Sequence, residues 1–218
     1  MPIARSPMAH LWTNPLLRYS NILNGLFHEK IIVCESDYDC LLYQAVLNAM
    51  VDNKGDIVPD ILYTHCGGKY RIKDAINALR IINVPVIAIC DFDTINNKNV
   101  FKPLIMSFGL NWETQFKSDM KIFYDTINSN SSAKESIKKS GKNVLTNDAP
   151  AAFDRINKVC RNAGLFIVPV GEIESFDKTI NKQKKEWVYS VLNDYNLATE
   201  EKLSELRAFI QAIYVFKP

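Results

Sequence analysis

A chain of 218 residues with 47% hydrophobic content has material for one core and at most a small appendage. Lys and Arg number 26 against 24 Asp and Glu, a net +2, so overall charge does not mark a polyanion binder and any nucleic-acid contact must come from local patches. No apolar run is long enough to span a membrane and no signal peptide is visible, which points to a cytoplasmic protein with no membrane partner.

Residues 1–27 read as a tail or linker that ends in a lead-in helix. Three prolines and no period run to about Pro15, and Leu16-Leu17, Ile22-Leu23 and Leu26-Phe27 follow at helical spacing. Residues 28–218 form the domain. Ile31–Cys34 is a short buried strand, followed by a helix to about Met50 with Leu41, Leu42, Ala45, Val46 and Ala49 on its apolar stripe. Ile61–Thr64 is a second strand. A Gly-rich turn, His65–Lys69, then opens a helix whose Ile72, Ile76 and Leu79 face inward, and Val84–Cys90 is the third strand. This alternation of strand and helix predicts parallel pairing. A helical insertion fills about 100–147, with Trp112–Ile127 as one helix, Asn128–Ser132 as a polar break and Ser140–Asn147 as a flexible loop. A helix at Pro150–Asn162, a fourth strand at Leu165–Val170 and helices near Lys184–Asn193 and Thr199–Tyr214 complete the chain. The expected fold is α/β: a central, mostly parallel four-stranded sheet flanked by helices, with an insertion after the third strand and a helical C-terminal tail. Cys34, Cys40, Cys66, Cys90 and Cys160 are odd in number and lack CxxC spacing, so they read as small core residues of a reducing compartment.

Three of these strands end on acids. Glu35 follows the first, with Asp37 and Asp39 close behind; Asp91 and Asp93 follow the third; Glu172 and Glu174 follow the fourth. The C-terminal edge of a parallel sheet is where ligands bind. Strand alternation would aim Asp91 and Asp93 at one ion while Phe92 packs behind, and would treat Glu172 and Glu174 in the same way around Ile173. Seven carboxylates at one edge repel, and Mg²⁺ prefers oxygen ligands of this kind. The plainer alternative is that Asp37 and Asp39 cap a helix.

The arrangement resembles the Toprim domain. The likeness rests on a glutamate after the first strand, Glu35, and a DxD after the third, Asp91 and Asp93. Three stretches look like the OLD (overcoming lysogenization defect) family of ATPase-associated nucleases: Val33-Cys34-Glu35-Ser36-Asp37-Tyr38-Asp39, Gly67-Gly68-Lys69 and the late Pro169-Val170-Gly171-Glu172-Ile173-Glu174. The resemblance covers about Leu16 to the C-terminus. It implies a DNA endonuclease or nickase that uses two Mg²⁺ or Mn²⁺ ions, acting in phage defence or DNA processing. It also implies an ABC-type ATPase domain or subunit as partner and is compatible with a homo-oligomer. Glu35, Asp39, Asp91, Asp93 and Glu174 match the family's metal ligands, and Glu172 sits at a further metal-proximal position. Ser36 departs from the usual glycine. No GxxxxGK[ST] motif is present to supply the ATPase.

The family's late catalytic lysine has several candidates before Trp187. Lys185 is assigned the transition-state role and Lys182 and Lys184 the holding of phosphates, with Lys178 behind them; a solvated charge run is the dull alternative. Lys69, Arg71 and Lys73 follow the Gly-rich turn and, like Lys138, Lys139 and Lys142, can hold DNA phosphates. Two other functions compete. A non-catalytic Toprim module would only dock an ATPase or regulator. A receiver-like phosphoacceptor domain would need a lysine after the last strand, where this chain has Glu172-Ile173-Glu174.

Overall fold

Along each strand, side chains alternate between two packed faces. Ile31, Val33, Ala88, Cys90, Leu165 and Ile167 enter one core; Ile32, Cys34, Ile87, Ile89 and Phe166 enter another on the opposite side. A sheet buried on both faces needs near-continuous apolar strands, and the VIAIC of the third is wholly buried. The computed structural model describes residues 21–128 and 133–217. Its four strands are β1 (Lys30–Cys34), β2 (Ile61–His65), β3 (Val86–Cys90) and β4 (Leu165–Ile167). They pair in the order β2-β1-β3-β4, and every pairing is parallel.

One face carries α2 (Lys69–Ile81), α3 (Lys98–Ser107), α5 (Lys117–Asn128) and α7 (Ala149–Asn162). The other carries α1 (Asp37–Asp52), α8 (Lys184–Asp194) and α9 (Ser204–Tyr214). The result is a three-layer α/β/α domain, as expected from the strand–helix alternation. On α8, Trp187, Val188 and Val191 are buried, and the Trp187 indole donates to the Asp177 carbonyl at 3.0 Å.

Several elements differ from the sequence expectation. The lead-in segment is a 3-10 helix at Asn21–Phe27, and the tail before Asn21 lies outside the described residues, as does most of the polar break after Asn128. The single helix expected over Trp112–Ile127 is two, α4 (Trp112–Gln115) and α5, separated at Phe116. The turn places Phe116 in the core, fully buried against Phe101. β4 stops at Ile167, because the chain beyond it continues along β3 in a looser course: the Val168 N–H donates to the Cys90 carbonyl and the Phe92 N–H to the Gly171 carbonyl, both at 2.9 Å.

The flexible loop expected over Ser140–Asn147 is a packed element instead. After α6 (Ala133–Ser140) it forms a 3-10 turn at Gly141–Val144, and the Lys142 N–H donates to the Pro169 carbonyl at 2.8 Å. Gly141 and Gly171 both have positive φ, 54° and 116°, and lie backbone against backbone. A Cβ on Gly141 would strike the Pro169 carbonyl, and one on Gly171 would strike that of Lys138. Glycine is required here by close approach as well as by backbone angle.

Candidate active site

Glu35 is the first residue past β1. Its Oε1 accepts from the Asp91 N–H at 3.0 Å and the Thr94 hydroxyl at 3.1 Å, so the ends of two neighbouring strands are tied together. The next residue, Ser36, is extended, with φ −132° and ψ 166°, so the turn does not need the glycine usual in the family it resembles. Ser36 caps α1 in a capping box with Asp39: Asp39 Oδ2 accepts from both the N–H and the hydroxyl of Ser36 at 2.9 Å. The capping alternative therefore holds for one oxygen of Asp39. The other, Oδ1, accepts no hydrogen bond of good geometry but lies 2.7 Å from Lys184 Nζ. Asp37 is exposed and, among the described residues, accepts only from the N–H of Tyr38, so it stands outside the cluster.

Strand alternation does not govern the two acid pairs. β3 ends at Cys90; Asp91 is extended, and Phe92–Thr94 wind into a 3-10 turn closed by the Thr94 N–H on the Asp91 carbonyl at 3.1 Å. Asp91 and Asp93 thus face different partners. Asp91 is buried, with Oδ2 3.9 Å from Lys184 Nζ, while Asp93 Oδ2 is 2.6 Å from Lys69 Nζ. Phe92 packs behind them as expected, fully buried between Phe123 and Phe153. The fourth strand end behaves similarly. Ile173 is buried at the start of a 3-10 turn, Ile173–Phe176, Glu172 Oε1 lies 3.1 Å from Lys138 Nζ, and Glu174 is half-buried with its Oε2 unpartnered among the described residues.

Among the basic candidates, Lys184 and Lys69 reach the cluster. Lys69 is delivered by the Gly67-Gly68 turn, which the Gly68 N–H anchors to the Glu35 carbonyl at 2.9 Å. Both glycines have positive φ, 73° and 122°. Arg71 is exposed, and Lys73 lies 3.9 Å from Asp74, which is not one of the clustered acids. Lys185 is exposed at the start of α8, and Lys182 donates to the Ser190 hydroxyl at 2.7 Å. Lys139 and Lys142 pair with Glu135 and Asp154, whereas Lys138 joins the site through Glu172.

Two contributors escaped the sequence reading. Tyr43, one turn after Asp39 on α1, is buried with no hydrogen-bond partner for its hydroxyl among the described residues; only its place on the Asp39 face of α1 hints at a role. Asp177 is buried and accepts from Tyr195 and Thr179 hydroxyls at 2.7 Å, which fixes the segment between the Glu174 turn and α8. No spacing in the chain signals that contact.

Six carboxylates therefore meet three ammonium groups, a net excess of three negative charges when all are ionised. The titration of the site reflects this. Burial pushes the Asp91 carboxyl well up; Lys184 pulls it down, and Glu35, Asp39 and Glu172 add to the rise. Burial likewise raises Glu35, against the Asp91 N–H and with the charge of Asp93, and it raises Glu174. Burial pulls Lys184 down, but Asp91, Asp39 and Glu174 more than offset it and hold the ammonium above its ordinary value. Burial is the larger cause for the acids; the negative charge around them adds to it and is what holds Lys184 up.

Cations suit such a donor set: every donor is a carboxylate oxygen, and one buried oxygen, Glu174 Oε2, has no partner among the described residues. Yet among the described residues no three acid, His or Cys side chains gather closely enough to make a ready cage. Lys69, Lys138 and Lys184 already occupy Asp93, Glu172 and Asp39, so a cation taking those oxygens would have to displace them. No family model, no curated protein and no solved structure matches the chain. No helix among the described residues is long and apolar enough to cross a membrane.

Proposed function

We propose that the chain is a Toprim-type, Mg²⁺- or Mn²⁺-dependent nuclease that hydrolyses DNA phosphodiesters, coupled to an ABC-type ATPase on a separate chain or segment. The observation that carries the proposal is the meeting of Glu35, Asp39, Asp91, Asp93, Glu172 and Glu174 with Lys184 at the C-terminal edge of an all-parallel sheet. Bound there, the ions would supply an activated water and stabilise the leaving oxygen. Glu35, Asp91, Asp93 and Glu174 would hold them, with Asp39 and Glu172 extending the set. Lys184, rather than Lys185, has the position to offset charge developing on the phosphate, because it is the lysine beside Asp39 and Asp91.

A second reading has its own observation. Lysines already pair with Asp39, Asp93 and Glu172, and Lys184 also approaches Asp91, as they would in a non-catalytic module that only docks an ATPase or regulator. The test is nicking or cutting of supercoiled plasmid in Mn²⁺, in Mg²⁺ and in chelator, with wild type and Asp91→Asn. The nuclease reading expects cleavage that needs the cation and vanishes in Asp91→Asn while the variant keeps its fold. Activity that persists in chelator or in Asp91→Asn would reject it. A cation that changes neither cleavage nor melting temperature would favour the docking module.

A further inference from the structure

Beside Asp93 a cleft of about 430 Å³ opens off the acid cluster, lined by Lys69, Asp93, the Asn96–Asn99 segment and Lys138. That is within the range of pockets that take a small-molecule group. Its lining has no apolar or aromatic side chain, so it offers no surface on which a base would stack. It offers instead three ammonium groups and asparagine amides. The Asn96 Oδ1 is buried and without a hydrogen-bond partner among the described residues.

The three lysines differ in how they are held. Lys69 lies 2.6 Å from Asp93 and Lys138 3.1 Å from Glu172, each bound to an acid of the candidate site. Lys98 is exposed, 5.5 Å from the Trp112 ring centre, and has no carboxylate partner among the described residues. Cations that take Asp93 and Glu172 would release Lys69 and Lys138 at the mouth of this cleft, with their charge intact.

We propose that the cleft seats the nucleic-acid backbone next to the phosphate being cut, and that Lys69 and Lys138 grip it only once cations have displaced them from Asp93 and Glu172, whereas Lys98, which rests on the Trp112 ring and on no carboxylate among the described residues, can do so throughout. The proposal rests on the nuclease reading and adds to it a linkage: cation and strand each tighten the binding of the other. By thermodynamic necessity the two effects are equal. Contacts of this kind position a strand without reading its sequence.

The experiment is fluorescence anisotropy of a short labelled single-stranded phosphorothioate oligonucleotide, which resists hydrolysis, titrated in chelator and in Mg²⁺ at two salt concentrations. Mg²⁺ is expected to tighten binding to the wild type. Lys98→Gln is expected to weaken binding in both conditions and to reduce the slope of log affinity against log salt by about 0.7, the loss of one single-strand phosphate contact. Lys138→Gln is expected to weaken it in Mg²⁺ alone. Wild-type affinity and slope in both variants would overturn the proposal, as would a loss from Lys138→Gln that is the same in chelator and in Mg²⁺. The two readings fail separately. If the wild type cuts plasmid but both variants bind as it does, the cleft is wrong and the nuclease stands. If the variants behave as expected but nothing is ever cut, the cleft binds nucleic acid and the nuclease reading falls.

Discussion

Lys184 is the residue on which the site's charge turns. It neutralises Asp39 and approaches Asp91, both buried, so its removal leaves acids without a counter-ion. Lys184→Met is expected to lower metal-free stability by about 1–3 kcal/mol. Mg²⁺ should recover much of that loss, so the cation-induced rise in melting temperature should be larger in the variant than in the wild type. Turnover under saturating DNA should fall at the same time. Lys185→Ala, altering an exposed side chain, should melt and cleave like the wild type. Paired melting curves and single-turnover cleavage decide the matter: a cation shift no larger in Lys184→Met than in wild type would separate this lysine from the cation site.

At the scale of elements, two contacts set where the acids stand. The first is the meeting of Gly141 with Gly171, which holds the end of α6 against the turn that bears Glu172 and so brings Lys138 to it. Gly171→Ala would place a side chain on a positive φ and into the Lys138 carbonyl. It is expected to destabilise the fold by about 2–4 kcal/mol. The second is Asp177, which lies between the Glu174 turn and α8. With Tyr195 and Thr179 it holds the stretch that leads to Lys184, while Trp187 donates to its carbonyl. Asp177→Ala should lower stability by about 1–3 kcal/mol and loosen Lys184. Urea unfolding measures both variants. Wild-type midpoints would show that the two contacts bear no weight.

For the whole molecule, acids of opposite behaviour shape the response to pH. Glu35, Asp91 and Glu174 are held above their ordinary values, mainly by burial. A carboxyl raised on folding contributes stability that is complete below its unfolded value and is lost as pH rises through its folded one. Asp177 runs the other way. Burial raises it, but the Tyr195 and Thr179 hydrogen bonds bring it below its ordinary value, so its contribution is present above the unfolded value and fades as pH falls through the folded one. Metal-free protein should therefore be most stable under mildly acidic conditions and weaken toward neutrality. If Mg²⁺ binds the raised acids, as proposed, it competes with protons for them, and the increment it adds should grow with pH. Melting temperature against pH, in chelator and in Mg²⁺, tests this; parallel profiles would mean that cations do not bind those acids.

The order of elements, the parallel sheet and the edge that gathers the acids were legible in the chain itself. Buried strands such as VIAIC and helices with apolar stripes are local patterns, and their alternation leaves few topologies open. Phe92 and Ile173 could be placed inside from their neighbours alone. The pairing of charges could not. Asp91 and Asp93 part company because the chain leaves β3 in a 3-10 turn held by Gly171, more than seventy residues away. Lys184 outranks Lys185 because Trp187 and Asp177 set the phase of α8, a one-residue difference that composition does not encode. Lys138 reaches Glu172 because two glycine backbones touch across the insertion. Periodicity is a property of neighbouring residues and survives in the sequence. The balance of ammonium against carboxylate depends on ångström distances between distant segments, and packing of the folded chain is what sets them.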